Sequence, residues 1–208
     1  MLRILGRKSS SNVQKVLWCC DELDIPFERE DYGAAFGNTK DDAYQRLNPN
    51  SLIPTVVEDD FVLWESNSII RYLAASHADR TPCLYPADLR TRARGERWMD
   101  WQLSTVSPAQ APVFLGLVRA PEAERNWAAI NQGIEKFRAA MTILDGGLAE
   151  GDYLSGAEFS VADISLGMYA YRWFELPLER PELPRLSAWY ERLMDRPVFR
   201  RHVMIGLS

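Results

Sequence analysis

Apolar Leu2, Ile4 and Leu5 open the chain as a short strand over residues 2–6, and a polar loop, Lys8-Ser9-Ser10-Ser11-Asn12, follows. Val13, Val16, Leu17, Cys20 and Leu23 then recur at steps of three and four, which predicts an amphipathic helix over 12–24. Pro26 ends it, and Phe27 to Tyr32 reads as a second strand of weak alternation. A loop rich in Gly, Ala and Asn (33–38) leads to a short polar helix over 40–47. Thr55-Val56-Val57 and Phe61-Val62-Leu63 flank Glu58-Asp59-Asp60, the pattern of a tight hairpin. Glu65-Ser66 opens a helix with Ser66 as N-cap; it turns Ile69, Ile70 and Leu73 toward the sheet and fades near His77. The order β-α-β-α-β-β-α predicts an α/β domain with a mixed four-stranded sheet.

Residues 76–86 carry two prolines and no periodicity, and beyond them the pattern is helical throughout. One helix runs from Asp88 through Trp98 and Trp101 to Ser107, where Pro108 and Pro112 are expected to bend or break it. Ile130, Ile134, Phe137, Met141, Leu144 and Leu148 mark another, and Ser160 with Asp163 three residues on is a capping-box signal for a third. A final pair surrounds Trp189-Tyr190 and Val198-Phe199. The expected organisation is an α/β domain over 1–78, a linker over 79–87 and an all-α domain over 88–208.

A 208-residue chain that is 47% hydrophobic has ample material for packed cores. Its net charge of −5 argues against nucleic acid as a partner, and no apolar run reaches membrane-spanning length. Three cysteines, two of them adjacent, make neither a disulfide framework nor a metal-binding pattern. With an N-terminus that lacks the apolar region of a signal peptide, this points to a reducing cytoplasm.

The chemistry concentrates around Pro54. Proline has no amide to donate to a ladder, so it belongs at the first position of a strand or on an edge. The amide and carbonyl of Ile53 are then free to pair with an extended peptide by strand addition. A few residues on, the helix start at Glu65-Ser66 offers unpaired amides and a hydroxyl to a carboxylate. A site that pairs with peptide backbone and grips a carboxylate nearby suits a short peptide ligand.

The Ile53-Pro54 step, the Glu65-Ser66 pair and the Ser160/Asp163 pattern, in this order and at these separations, resemble the cytosolic glutathione transferases over the full length of the chain. The resemblance implies a thioredoxin-like N-terminal domain that binds glutathione and a helical C-terminal domain that lines the electrophile site. It implies a cis bond before Pro54, Ile53 backbone on the cysteinyl part of glutathione, and Glu65 and Ser66 on its γ-glutamyl end. It places the family's catalytic serine on Ser10; some bacterial members show a hydroxyl residue, any residue, then asparagine, here Ser10-Ser11-Asn12. Lys40 sits where members often place a cation for the glycyl carboxylate, and a solvated surface lysine is an equal reading. Members often have glycine where Ser51 stands.

The implied activity is transfer of glutathione to small electrophiles in detoxification, by a cytoplasmic homodimer with glutathione as co-substrate and no metal. The glutathione thiol must be a thiolate near neutral pH, and lowering its pKa by two units from about 8.5 takes about 2.7 kcal/mol of preferential stabilisation. Ser10, the Asn12 amide and first-helix amides are the neutral donors on hand. Which of Ser9, Ser10, Ser11 and Asn12 touches the thiol stays open, as does helix capping as the role of all three serines. A glutathione-dependent peroxidase, disulfide reductase, dehalogenase or isomerase would keep the same motifs, and a non-catalytic binding module would keep the fold. Asp163 reads as a structural cap, Cys19 and Cys20 as buried packing, and Trp98 and Trp101 as residues between core and cleft.

Overall fold

The computed structural model describes residues 1–207. Strands β1 (Leu2–Leu5), β2 (Phe27–Glu30), β3 (Thr55–Glu58) and β4 (Phe61–Trp64) form one sheet in the order β2-β1-β3-β4. β1 runs parallel to β2 and antiparallel to β3, and β3 and β4 make the expected hairpin, with Asp59 in the turn at φ 54°. Helices α1 (Ser11–Glu22), α2 (Asp42–Leu47) and α3 (Ser66–Ser76) complete the α/β half in the predicted order.

α1 departs from the amphipathic reading. Val13 to Cys20 are buried without a break, because α1 packs against α3 on one side and against the helical half on the other. A helix covered on both sides needs apolar residues all round, and Val16-Leu17-Trp18-Cys19-Cys20 supplies them. Trp18 meets Phe199 edge-on at 4.9 Å between ring centroids. Both cysteines are buried free thiols whose pKa burial pushes up, so they are packing groups.

The helical half contains α4 (Leu89–Trp101), α5 (Ser107–Phe114), α6 (Trp127–Gly147), α7 (Val161–Glu175), α8 (Pro184–Met194) and α9 (Pro197–His202). The prolines do not break the helix that begins at α4. It continues through a wide π turn (Gln102–Val106), α5 and a second π turn (Leu115–Arg119). A π turn spans an extra residue per hydrogen bond, which relieves the crowding a proline ring imposes on the preceding turn. Pro108 sits in the first turn of α5, and Pro112 lies inside it. α6 approaches closely there: a side chain at Gly133 would meet Pro112 Cγ at 2.8 Å and the Ala109 carbonyl at 3.1 Å, so glycine is required. Trp98 is buried and Trp101 half-buried; they border a groove with Ile143 and Gly147, not the serine-rich cleft described below.

The capping box at α7 is present. Ser160 accepts from the Ala162 amide, while Asp163 accepts from the amides of Ser160 and Leu154 and from Trp189 Nε1. Asp163 is fully buried, and one carboxylate thereby ties a loop, α7 and α8 together.

Candidate active site

β1 ends at Leu5, and the chain must turn sharply to enter α1. Gly6 permits this: a Cβ there would lie 2.5 Å from Val13 Cγ2 and 3.4 Å from Ile53 Cβ. Ile53 therefore sits beside the end of β1, close to the loop that carries the serines. Ser10 occupies the N-cap position of α1 with extended backbone, yet its side chain makes no capping hydrogen bond. Ser9, Ser10, Ser11 and Asn12 instead line a cleft of about 550 Å³. Capping, the bland role for these hydroxyls, is not what Ser10 does.

The Ile53-Pro54 bond is cis. The Leu52 carbonyl accepts from Tyr44 Oη (2.6 Å) and Asn48 Nδ2 (2.9 Å), which pins the loop. Ser51 takes φ 57°, a left-handed conformation in a residue with a side chain, and its Oγ accepts from Gln45 Nε2 at 3.1 Å. The turn expected to want glycine is thus built with serine. By contrast, the Ile53 amide and carbonyl have no hydrogen-bond partner among the described residues.

Ser66 corrects the expected cap. Glu65 is the N-cap residue, at φ 70° and ψ 107°, and Ser66 is the first residue of α3. A left-handed φ in a non-glycine residue costs of order 1–3 kcal/mol and gathers at functional sites. The Ser66 hydroxyl, inside the helix and not its cap, donates to Asn12 Oδ1 (3.2 Å) between α3 and α1. With its oxygen occupied, the Asn12 amide keeps its N–H groups for another acceptor.

Lys15, one turn beyond Asn12, was not a candidate in the sequence. Its ammonium is 1% exposed and donates to Gln102 Oε1 (2.8 Å), Asn67 Oδ1 (3.1 Å) and, more weakly, Ser66 Oγ (3.4 Å). Gln102 Nε2 donates to Tyr169 Oη (2.9 Å), which donates to Ser107 Oγ (3.2 Å) at the cleft wall. One buried network thus joins Ser66 to the helical half. A cation on Ser66 polarises its hydroxyl toward Asn12, and bonds in such a chain strengthen one another. Burial lowers the Lys15 pKa to about 7, the Glu65 carboxylate opposes this, and Arg172 adds to it.

The far wall of the cleft comes from α5, the second π turn and α7. Arg7 stands on the loop side, with Arg119 and the buried Arg172 opposite, and no acidic residue lines the space. Sequence reasoning singled out none of these three. The one early sign for Lys15 was its place beside five consecutive apolar residues, too many for a one-faced helix. Of the residues named from the sequence, Ser10 and Asn12 line the cleft, Ser66 bonds Asn12, and Ile53 lies beside Gly6 at the end of β1. Lys40 is exposed just before α2 and makes no hydrogen bond or ion pair with the others.

The family models for the "Glutathione S-transferase, N-terminal domain" and the "Glutathione S-transferase, C-terminal domain" match residues 9–76 and 128–192. Glutathione S-transferase GstB of Escherichia coli (strain K12) is 40% identical, with 100% of both chains covered. Glutathione S-transferase 3 of Zea mays is 31% identical over 97% of this chain and 93% of its own. Among solved structures, the theta class glutathione S-transferase of Xanthomonas axonopodis pv. citri with glutathione bound superposes with a TM-score of 0.95 at 47% identity, covering 100% of this chain and 99% of that one. The glutathione transferase F7 of Populus trichocarpa gives a TM-score of 0.88 at 26% identity, with 100% of each chain covered. On sequence and fold together, the chain belongs to the glutathione S-transferase family.

Proposed function

We propose that the protein is a glutathione transferase that binds glutathione along the groove between Ile53 and Ser66 and activates its thiol as a thiolate for attack on a small electrophile. In this reading the Ile53 backbone pairs with the cysteinyl residue as an added strand. The Ser66 amide, with those that follow it at the start of α3, takes the γ-glutamyl carboxylate, and Glu65 takes the amino group. The observation that carries it is the free hydroxyl of Ser10, on one cleft with the Asn12 amide at the start of α1. In this reading these neutral donors hold the thiolate in the manner of an oxyanion hole. Lys40 remains the proposed partner of the glycyl carboxylate.

Phe61 on edge strand β4, exposed beside Tyr72 of α3, supports a homodimer, which light scattering checks. Buried free thiols suit a reducing cytoplasm, and a role in detoxification follows from the proposed chemistry.

A thermal shift with glutathione tests binding: ligand at 100 times its dissociation constant adds about 2.7 kcal/mol. Parallel assays with an aryl halide, a hydroperoxide and a mixed disulfide test the reaction class. Turnover of the aryl halide is expected; glutathione binding with all three inert would mark a binding module.

Lys15 gives a second prediction. A carboxylate docking on Ser66 raises the pKa of the ammonium behind it, so binding draws in a proton near pH 7–8. S-methylglutathione has no thiol proton to release, which isolates the effect. Its binding enthalpy should vary with the ionisation heat of the buffer in wild type and not in Lys15→Met. The unliganded protein carries a related signature. The folded-state pKa lies below the unfolded value, so the unfolded chain binds the extra proton between about pH 7 and 10.5. Stability therefore rises with pH across that window by up to about 1.4 kcal/mol per unit. Urea unfolding of Lys15→Met should lack this slope.

A further inference from the structure

The cleft beyond Ser10 is lined by donors that lack acceptors. Arg172 is 9% exposed and forms no ion pair among the described residues; its one hydrogen bond is from Nη1 to Gln110 Oε1 at 2.9 Å. Its guanidinium lies over the Phe114 ring at 3.6 Å from the centroid, a packing that fixes the group without neutralising it. Gln110 is 2% exposed, and with its oxygen committed to Arg172, its Nε2 is buried and unpartnered. A buried amide donor left unmade costs about 1–3 kcal/mol, and a buried cation without a counter-ion costs more.

Arg119 stands at the mouth of the same cleft, and its charge opposes those of both Arg7 and Arg172. Burial and this repulsion lower the Arg172 pKa to about 10, still charged at neutral pH. So a chain of net charge −5 concentrates three cations and an orphaned donor on one cleft with no carboxylate in its wall. Clefts of one sign with low-dielectric walls focus field lines and raise the local concentration of ligands of opposite charge.

We propose that the electrophile carries an anionic group, a carboxylate or sulfonate, seated on Arg172, Gln110 and Arg119 with its reactive carbon toward Ser10. The inference rests on the glutathione transferase reading and narrows it to negatively charged co-substrates. Glutathione itself is assigned to the opposite side of Ser10, where Ser66 and the Ile53 backbone stand, so its carboxylates do not fill this wall. In the step, the glutathione sulfur forms a bond to the electrophilic carbon and halide departs with the bonding pair. The anionic group takes no part beyond anchoring.

A matched pair of benzylic bromides tests it: 4-(bromomethyl)benzoate and its methyl ester, with kcat/KM at saturating glutathione divided by each compound's uncatalysed rate constant with glutathione. The acid is expected to be preferred by about tenfold or more at low ionic strength, and the preference to shrink in concentrated KCl. Arg172→Gln should cut the acid-to-ester ratio by about tenfold. Arg119→Gln, at an exposed position, should cut it severalfold. An ester turned over as well as the acid would overturn the proposal, and so would a ratio unmoved by Arg119→Gln. A raised KM for glutathione with that ratio unmoved would assign the cations to glutathione, again against it. Glutathione bound with neither bromide turned over would remove the transferase reading itself, and this inference with it.

Discussion

Ser10→Ala is expected to lower kcat/KM with an aryl halide by about a hundredfold while glutathione binding changes little. Ser10 Oγ makes no bond that holds the fold: it caps nothing and has no hydrogen-bond partner among the described residues. Loss of one donor from a preorganised anion site typically costs 10²–10³ in rate, about 2.7–4 kcal/mol. Because the donor serves the thiolate and not the peptide backbone or carboxylates, the thermal shift given by glutathione should persist. The loss should also ease at high pH, where the thiol ionises without help. Asn12→Ala should cost less in rate, because Asn12 is the second donor, but it also leaves the Ser66 hydroxyl without its acceptor. A Ser10→Ala enzyme of full activity would move thiol activation to Ser9, Ser11 or Asn12.

Asp163→Ala is expected to cost at least about 3 kcal/mol of stability, measured by urea unfolding. Of the four buried donors to Asp163, the Ser160 hydroxyl keeps Ser155 as a partner, while the Leu154 and Ser160 amides and Trp189 Nε1 lose their acceptor, each worth about 1–3 kcal/mol. It also strips the capping box from α7, typically about 1 kcal/mol, in a helix buried along almost its whole length. The costs overlap, since the Ser160 amide is counted in both. Burial raises the carboxyl to about pKa 6 while the donors pull it down, so it is ionised at neutral pH. Asp163→Asn keeps an acceptor for Trp189 but sets an amide against the Ser160 N–H, and should fall between wild type and alanine. Neither variant should alter the ratio of acid to ester turnover, because Asp163 lies outside the cleft.

The two residues show what was legible in the chain. Asp163 was readable because its role is local: a serine, two spacers and an acid before an apolar run announce a cap, and the cap formed. The hairpin at Asp59 and the cis bond before Pro54 were readable on similar grounds, the first from turn chemistry and the second from the family's motifs in order. Ser66 was misassigned by one position because the turn from β4 into α3 is made by a strained Glu65, which no propensity scale favours. Lys15 was missed because α1 is covered on a second face by α7 and α9, elements more than a hundred residues away in sequence. The cationic wall was missed on similar grounds. Arg7, Arg119 and Arg172 share a cleft only after the two halves pack, and each alone reads as a surface charge. Pro108 misled because a local rule, that proline ends helices, was met by a local remedy, the π turn before it; Pro112 stays inside α5 with no such turn ahead of it.

A thiol made acidic by Ser10 and its neighbouring donors is the centre of the proposed chemistry. The most direct measurement is a spectrophotometric pH titration of glutathione bound to the wild-type protein, following the ultraviolet absorbance of the thiolate. A bound thiol with an apparent pKa of about 6.5, two units below the free value, and a return toward about 8.5 in Ser10→Ala is the predicted result. A bound thiol that titrates near 8.5 in the wild-type protein would contradict it.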